Sequence, residues 1–301
     1  MKLSHKNRFY LDLLFEIILS PISYMNNFLK WHFGNIENKE VLTKKRKSVN
    51  QNKVSVCIHE WGGYEGKRLK KIKNIPEFEC GLDYQLERFQ NYSGQYDLNL
   101  SITISELNLF KSKINNVEMI EVPNEGMDFS GYEAFFNKIK SEENQYVILT
   151  NSSVNKYQVN FIDDYISFFK ENSSIGMMGI SFNSKMYQSL IKNNFNPHLQ
   201  SFFLLTTTQV LKEVVDFNNG FPGKGIDYKL ELIKKGEIKL SKIVLDMGYT
   251  LACVLENGKP FLFDKSHFID NGRNSWKNFY GDYRLHTRKP NAINSLKLGV
   301  K

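Results

Sequence analysis

Residues 145–153, QYVILTNSS, join a nearly continuous apolar run to three small polar side chains. Such a run is typical of a strand that is buried on both faces of a parallel sheet. Polar residues that follow such a strand lie at the carboxyl edge of the sheet, where open α/β sheets bind their ligands. The stretch therefore predicts the class of fold and the place of a binding site.

The segments on either side alternate between strand and helix patterns. Alternation of this kind indicates βαβ units and a mostly parallel sheet flanked by helices. The predicted strands are 53–60, 97–104, 117–122, 145–150, 175–181, 200–206 and 250–255, and the predicted helices are 82–92, 132–140, 161–171, 209–216, 227–235 and 238–247.

Three parts are expected in the 301 residues: an N-terminal helical arm with a basic linker (1–52), an α/β domain (53–256) and an aromatic-rich C-terminal extension packed on it (257–301). A hydrophobic share of 41% and a charged share of 24% exclude wholesale disorder. The three cysteines are far apart and form no CxxC motif, which excludes a disulfide framework and a recognisable zinc site. Such cysteines fit a reducing compartment, so a cytoplasmic location is expected.

The positive charge is concentrated in the arm. Residues 1–53 hold ten Lys or Arg against four Asp or Glu, whereas the other 248 residues hold 30 against 28. A nucleic-acid-binding protein usually carries its basic face on the folded domain. We therefore expect no nucleic-acid partner.

The arm contains an apolar stretch, 9–29, that is interrupted by Asp12, Glu16 and Pro21, so it does not meet the requirement for a membrane span. Its apolar spacing predicts an amphipathic helix that Pro21 should end; this spacing is set by Leu11, Leu14, Phe15 and Ile18. Two interpretations stay open. The helix lies on the cytoplasmic face of an anionic membrane, with the KKRK run at 44–47 attracted to head groups, or it packs on the domain or on a partner subunit.

Polar residues at two further strand ends are candidates for ligand binding. The first strand ends at His59, and the loop after the third strand carries Asp128 between Gly126 and Gly131. Neither a GxGxxG nor a GxxxxGK[ST] motif is present in the chain. The position at strand ends makes His59 and Asp128 candidates for ligand binding, and Asp128 could reach a ribose or sugar hydroxyl; alternatively, Asp128 or Ser130 caps the next helix.

Four segments resemble the rhamnan-synthesis-type glycosyltransferases of bacterial polysaccharide assembly. NEGMDFSGYEAFF (124–136) is similar to that family's N-x-G-x-D-x-G segment, and YVILTNSSV (146–154) to its YxxFLNSSV segment. NPHLQSFF (196–203) is similar to its P-H-(L/V/I)-Q-S segment, and GEIKLS (236–241) with Gly248 and Tyr249 to its E-x-x-(L/M)-S…G-Y segment. The segments follow the order of the family and span about residues 53–256.

The resemblance implies a GT-A-type, Rossmann-like fold that transfers a sugar from a nucleotide-diphosphate donor to a glycan or lipid-linked acceptor. An inverting transfer needs a general base, which the resemblance places at Glu237; Asp227 is the reserve candidate. A first-turn residue stabilised by the helix dipole is the other interpretation of Glu237. The residues assigned to binding of the sugar donor are His59, Asn124, Asp128, Asn151, Ser152 and Ser153. The residues assigned to binding of the acceptor or a phosphate are His198 and Gln200.

Many GT-A enzymes hold a divalent cation with an Asp-x-Asp motif after the central strand. Here that position reads Asn151-Ser152-Ser153 and offers no carboxylate for Mg²⁺ or Mn²⁺. Asp163 and Asp164 fall inside a predicted helix, where neighbouring side chains diverge, so we interpret them as surface residues. We therefore expect no tightly bound metal.

The basic run 67–73 has two interpretations: it contacts the donor diphosphate, an anionic acceptor or the membrane, or it forms a solvated helix face.

Two other function classes stay open. One is a non-catalytic nucleotide-sugar or glycan-binding module of the same fold, and the other is an unrelated α/β enzyme such as a nucleotidyltransferase or hydrolase. The chain has no G-x-S-x-G elbow that would favour a serine hydrolase. A homo-oligomer is also left open. Trp61, Tyr157 and Trp276 are candidates for stacking on a base or sugar.

Overall fold

The computed structural model describes residues 3–33, 43–72, 75–111, 114, 116–185, 195–264 and 289–298; Trp276 lies outside this part of the chain. The helices are α1 (His5–Phe33), α2 (Leu82–Gln90), α3 (Asp128–Ile139), α4 (Ile162–Glu171), α5 (Thr208–Asn218), α6 (Lys229–Leu232) and α7 (Lys239–Asp246). A 3₁₀ turn covers Leu107–Leu109, and a π-helical turn, Ile233–Ile238, joins α6 to α7. The strands are β1 (Lys53–Trp61), β2 (Arg68–Ile72), β3 (Ile75–Cys80), β4 (Asp97–Ser105), β5 (Glu118–Val122), β6 (Tyr146–Asn151), β7 (Ile175–Gly179), β8 (Phe182–Lys185), β9 (Phe195–Leu199), β10 (Phe203–Thr207), β11 (Thr250–Val254) and β12 (Pro260–Phe263).

An eight-stranded sheet forms the centre of the molecule, in the order β12-β11-β7-β10-β6-β1-β4-β5. Strands β5, β4, β1 and β6 pair in parallel, and so do β7 and β11. β10 and β12 run antiparallel to their neighbours. The fold is therefore a mixed α/β fold with a mostly parallel sheet, which confirms the predicted class.

Helices cover both faces of the sheet and bury two apolar layers. The even-numbered positions of β1, such as Val56 and Ile58, pack with α2 and α4. The odd-numbered Cys57 packs with α3, α5 and α7 on the other face. This parity follows from the two-residue repeat of a strand, and it decides which face each polar residue at the end of β1 can reach.

Most predicted elements are confirmed with small shifts at their ends, but the basic run 67–73 is not a helix. Residues 68–72 form β2, which pairs with β3 as an antiparallel hairpin outside the main sheet. Its alternating half-buried and exposed positions are typical of a strand with one face on the domain. The prediction of a solvated helix face is therefore wrong.

The predicted helices 227–235 and 238–247 form one continuous run, from Lys229 to Asp246. Gly236, which suggested a break, lies in the π-helical turn. A Cβ atom on Gly236 would come within 2.9 Å of the Phe129 ring. Glycine is therefore required there by close packing on α3, not by the end of a helix. Glu237 consequently lies mid-helix, which removes its interpretation as a first-turn residue.

Helix α1 passes through Pro21 instead of ending there, so that prediction is wrong. Proline removes one backbone hydrogen bond from a helix. Pro21 is exposed, so water can hydrate the carbonyl group that loses its partner. In the described residues, no helix combines the length and the apolar character needed to cross a bilayer.

The KKRK run packs on the domain. Arg46 is buried and its guanidinium donates to the carbonyl oxygens of Phe169, Asn172 and Ile175. It also stacks on the Phe169 ring at 3.6 Å. Lys44 pairs with Glu213 at 2.8 Å. Two of the four cations are thus engaged within the protein, which favours the packing interpretation of this run over lipid attraction.

The segment predicted as a C-terminal extension contributes to the domain. β12 is the edge strand of the main sheet, so the sheet does not end at residue 256. Within 289–298, Ala292 and Ile293 are buried. Asn294 accepts a hydrogen bond from the Tyr165 hydroxyl at 2.7 Å through its carbonyl oxygen. The described part of this segment therefore packs on the domain.

Arg46→Leu should lower the free energy of unfolding by about 3 kcal/mol, because three buried carbonyl groups lose their charged donor. Urea denaturation of both proteins measures the difference. Lys45→Ala, at an exposed neighbouring position, serves as the control and should change stability by less than about 0.5 kcal/mol. Equal effects of the two substitutions would contradict a structural role for Arg46.

Candidate active site

Three chain segments meet at the carboxyl edge of the central strands: β1, β6 and the residues before β10. In the parallel pair β1 and β6, His59 lies opposite Asn151. β10 runs antiparallel to β6, so the residues before β10 reach the same edge. The Phe202 carbonyl accepts hydrogen bonds from the Asn151 amide at 3.2 Å and from the Thr150 hydroxyl at 2.9 Å. The segment 196–203 is thereby held beside the end of β6.

Asp128 and Glu237, here called the carboxylate pair, share one serine. Ser201 Oγ lies 2.7 Å from Glu237 Oε1 and 3.3 Å from Asp128 Oδ2, and the Ser201 amide donates to Glu237 Oε1 at 3.1 Å. Asn151 Nδ2 donates to Asp128 Oδ2 at 2.6 Å. A single network therefore joins α3, β6, the approach to β10 and the π-helical turn.

Asp128 is the first residue of α3 but it does not cap the helix. Met127 is the residue before the helix, and no side chain accepts a capping hydrogen bond there. Ser130 Oγ instead donates to the Glu125 carbonyl. The capping interpretation of Asp128 and Ser130 is therefore wrong, and the contacts of Asp128 run across the cleft to Asn151 and Ser201.

Glu237 has the environment of a proton acceptor. Its side chain is half-buried, and burial raises the pKa of the Glu237 carboxyl above its usual range. The hydrogen bonds from Ser201 lower this pKa, the Asp128 charge raises it, and Lys229 lowers it. Both Ser201 contacts go to Oε1, so among the described residues Oε2 has no hydrogen-bond partner.

A second network lies beside the first and centres on the buried Glu60. Glu60 Oε1 accepts hydrogen bonds from Ser152 Oγ at 2.7 Å and from the Trp61 amide at 2.9 Å. Arg68 contacts Glu60 Oε2 at 3.4 Å and donates to Ser152 Oγ at 2.7 Å. Burial raises the pKa of Glu60, and Arg68 opposes this shift. Ser152, predicted to bind donor, is thus held between a carboxylate and a guanidinium.

His59 lies beneath the cleft. It is buried, and its Nδ1 lies 3.1 Å from Thr103 Oγ1 on β4. Burial lowers the pKa of His59, and Asp128 opposes the shift. This direction favours the neutral ring, and the assignment of His59 to donor binding stays a prediction.

The other predicted site residues are spread around the network. Ser153 and Asn124 flank it: the Ser153 amide donates to Asn151 Oδ1 at 2.9 Å, and Asn124 is exposed before α3. Gln200 accepts from Ser181 Oγ at 2.6 Å. His198 is buried within β9, with its Nδ1 2.6 Å from the Asn196 carbonyl. His198 therefore follows Pro197 in a strand, not in a tight turn.

Two lysines interact electrostatically with the carboxylate pair, Lys70 with Asp128 and Lys229 with Glu237. Lys70, on β2, is half-buried; burial lowers its pKa, Cys80 and Asp128 raise it, and Arg68 and Lys229 lower it further. These couplings place Lys70 within electrostatic reach of α3 and α6. Neither Lys70 nor Lys229 forms an ion pair within the described residues. Both cations are thus available to an anionic ligand.

The side chains that directly follow β6, Asn151, Ser152 and Ser153, offer only neutral oxygens to a metal ion. The described residues contain no group of three or more His, Cys, Asp or Glu side chains arranged to hold one. Asn151 and Ser152 are already engaged with Asp128, Glu60 and Arg68. The nearby lysines also oppose the binding of a dication.

Comparisons with known proteins add little beyond the fold. Neither a protein-family model nor a curated protein matches the chain. Among solved structures, the bifunctional IspDF from Campylobacter jejuni aligns with a TM-score of 0.35 and 14% identity, over 66% of this chain and 48% of that one. The matched region is less than half of that protein, and a similarity this weak supports no inference about activity.

Sequence reasoning named three of the four residues in the first network and Ser152 in the second, and it missed one central residue of each. Asp128, Asn151 and Glu237 were predicted, but Ser201, which joins them, was not assigned although it lies in the segment 196–203. Glu60 was likewise passed over beside His59. Its signal was a carboxylate that continues the apolar face of Val54, Val56 and Ile58, where it has to be paired if it is buried.

Gly131→Ala should destabilise the fold by about 2 kcal/mol through overpacking. Its Cβ would lie 2.3 Å from Thr103 Oγ1 and 2.4 Å from His59 Nδ1. Helix propensity alone predicts the opposite, a gain of about 1 kcal/mol. Urea denaturation measures the change, with Asn137→Ala on the exposed side of α3 as the control. An increase in stability on Gly131→Ala would show that α3 is not held against these strands.

Proposed function

We propose that this protein is a glycosyltransferase that moves a sugar from a nucleotide-diphosphate donor to a hydroxyl group of a growing surface polysaccharide or glycolipid. One observation carries the proposal: each of the four segments that resemble the polysaccharide-assembly enzymes supplies a residue to one hydrogen-bond network. These residues are Asp128, Asn151, Ser201 and Glu237. Segments with unrelated roles would have no reason to converge on one cleft. The proposal takes the α/β fold to be of the GT-A type.

Glu237 acts as the general base in this proposal. The acceptor oxygen forms a bond to the anomeric carbon while the bond from that carbon to the diphosphate oxygen breaks, and the diphosphate leaves with the electron pair. The acceptor proton passes to Oε2 of Glu237, the oxygen without a partner among the described residues. A raised pKa improves a carboxylate as a base near neutral pH, and burial raises that of Glu237.

Asp128 binds the donor. Asn151 and Ser201 both contact its Oδ2, so Oδ1 is left to accept from a ribose or sugar hydroxyl. Because Asn151 holds the carboxylate in place through Oδ2, the acceptor atom Oδ1 is already oriented before the donor arrives. Pre-orientation of this kind reduces the entropy lost on binding.

Lys70 and Lys229 neutralise the donor diphosphate, and Arg68 adds charge from β2. The proposal therefore needs no tightly bound divalent ion.

All three cysteines in the chain are buried free thiols, which suits the cytoplasm, where we place the reaction. A thermal-shift screen against UDP-, GDP-, CMP- and dTDP-sugars identifies the donor. Nucleotide binding without transfer to any acceptor would favour a non-catalytic binding module, and no nucleotide binding would overturn both functions.

Glu237→Gln should lower kcat by about 10²- to 10⁴-fold and leave donor affinity within a few fold, because the amide keeps the hydrogen-bonding reach but accepts no proton. Radiolabelled sugar transfer measures kcat, and the thermal shift with donor measures binding. Glu171→Gln, an exposed carboxylate on α4, is the matched control. Activity within threefold of the unmodified protein would rule out the role, and a loss in Asp227→Asn instead would transfer it to Asp227.

Transfer should persist in excess EDTA, with Mg²⁺ or Mn²⁺ changing the rate only modestly.

Lys70→Met should raise the donor KM about tenfold, since it removes about 1.4 kcal/mol of charge interaction. The matched control is Lys71→Met, because Lys71 is exposed on the opposite face of β2 and pairs with Glu77 at 2.7 Å. Complete loss of transfer in EDTA that Mn²⁺ restores would show that the carboxylate pair holds a metal.

A further inference from the structure

Helix α1 has one face fixed to the domain. Phe9 is buried against Ile238 and lies 5.5 Å from the Tyr228 ring. His5 Nδ1 contacts Asp227 Oδ1 at 2.7 Å, beside the start of α6. The inner face of the helix therefore packs on α6 and the π-helical turn, the segment that carries Glu237.

The acidic residues of α1 also point inward. Glu16 pairs with Lys234, and Asp12 lies 3.7 Å from Lys234 and 3.8 Å from Lys235. From residue 10 to residue 25 these are the only charged residues in the sequence. Both carboxylates are neutralised within the protein, so neither opposes an anionic surface on the far side of the helix.

The opposite face, here called the outer face, consists of exposed apolar side chains. Its members are Leu11, Leu14, Phe15, Ile18, Ile22 and Met25. Ile17 and Leu19, also exposed, widen it on either side. At about 100° per residue, the apolar arc covers about 200° of the helix surface. A single partner helix covers a narrow seam, whereas a bilayer interface can cover the whole arc.

Charge at the end of the helix favours an anionic lipid. Lys6 and Arg8 are exposed in the first turns and border the outer face, and the chain has a net charge of +8. Basic side chains beside a bilayer surface are attracted to its acidic phospholipids. No helix in the described ranges can cross a bilayer, so a helix of this kind lies along the surface.

We propose that the outer face of α1 binds the surface of a bilayer that contains anionic phospholipid, with the helix axis in the membrane plane. Apolar side chains enter the boundary between head groups and acyl chains. Lys6 and Arg8 contact phosphate groups at its edge. The proposal rests on the helix alone and is independent of the reaction at Glu237.

Vesicle flotation of the full chain tests the proposal. The protein should float with vesicles of equal parts phosphatidylcholine and phosphatidylglycerol, and less with phosphatidylcholine alone. Ile18→Glu should reduce the bound fraction at least tenfold. Phe217→Glu on α5 is the matched control, since Ile18 and Phe217 are both 59% exposed, and it should bind as the unmodified protein does.

Three outcomes would overturn the proposal. The first is that the unmodified protein does not float, and the second is that Ile18→Glu floats as well as the unmodified protein. The third is a dimer in light scattering that Ile18→Glu dissociates, because a second copy of the chain would then cover the outer face. Circular dichroism and the thermal-shift response to nucleotide establish that each variant is folded. Because flotation needs no sugar transfer, failure here leaves the proposed reaction untouched, and an inactive enzyme leaves this result untouched.

Discussion

The site depends on holding two like charges together in a partly buried cleft. A carboxylate beside another carboxylate favours protonation of one of them unless donors and cations compensate. Ser201 has one hydroxyl proton, and its shorter contact, 2.7 Å against 3.3 Å, assigns that proton to Glu237 rather than to Asp128. Asn151 supplies Asp128 with the donor that Ser201 cannot give. Asp128 therefore depends on Asn151, and Glu237 on Ser201, for a side-chain hydrogen-bond donor.

The direction of β10 makes this network possible. A sheet of parallel strands alone brings residues that follow strands to the carboxyl edge. β10 runs antiparallel to β6 and β7, so it brings residues that precede a strand. Ser201 reaches the end of β6 in this way, and Phe202 joins it there through its carbonyl. The insertion of one reversed strand thus adds a further source of side chains to a cleft otherwise built from strand ends, α3 and the π-helical turn.

Local pattern predicted every strand of the main sheet except β12, and the apolar run of β6 reflects its burial on both faces. It could not predict the β2–β3 hairpin, since the contacts of Arg68 with Glu60 and Ser152 cross from the hairpin to the main sheet. The strand repeat also left open which of His59 and Glu60 faced the site. Their side chains point to opposite faces, and only tertiary packing shows that each is buried with a partner. Gly236 was misread for the same reason, because its constraint is the ring of Phe129 on another helix.

Two adjacent residues of one π-helical turn have different roles: one contacts helix α1, and the other is the proposed base. Ile238 packs on Phe9, while Glu237 faces Ser201. Successive residues of a helix diverge by about 100°, so the turn can bind α1 on one side and the cleft on the other. A π-helical turn widens the helix and occurs often at functional sites. If both proposals hold, α1 on a bilayer places the carboxylate pair at a fixed distance from the membrane surface. That arrangement suits an acceptor whose reactive hydroxyl lies close to its lipid, and it disfavours one that extends far into solution.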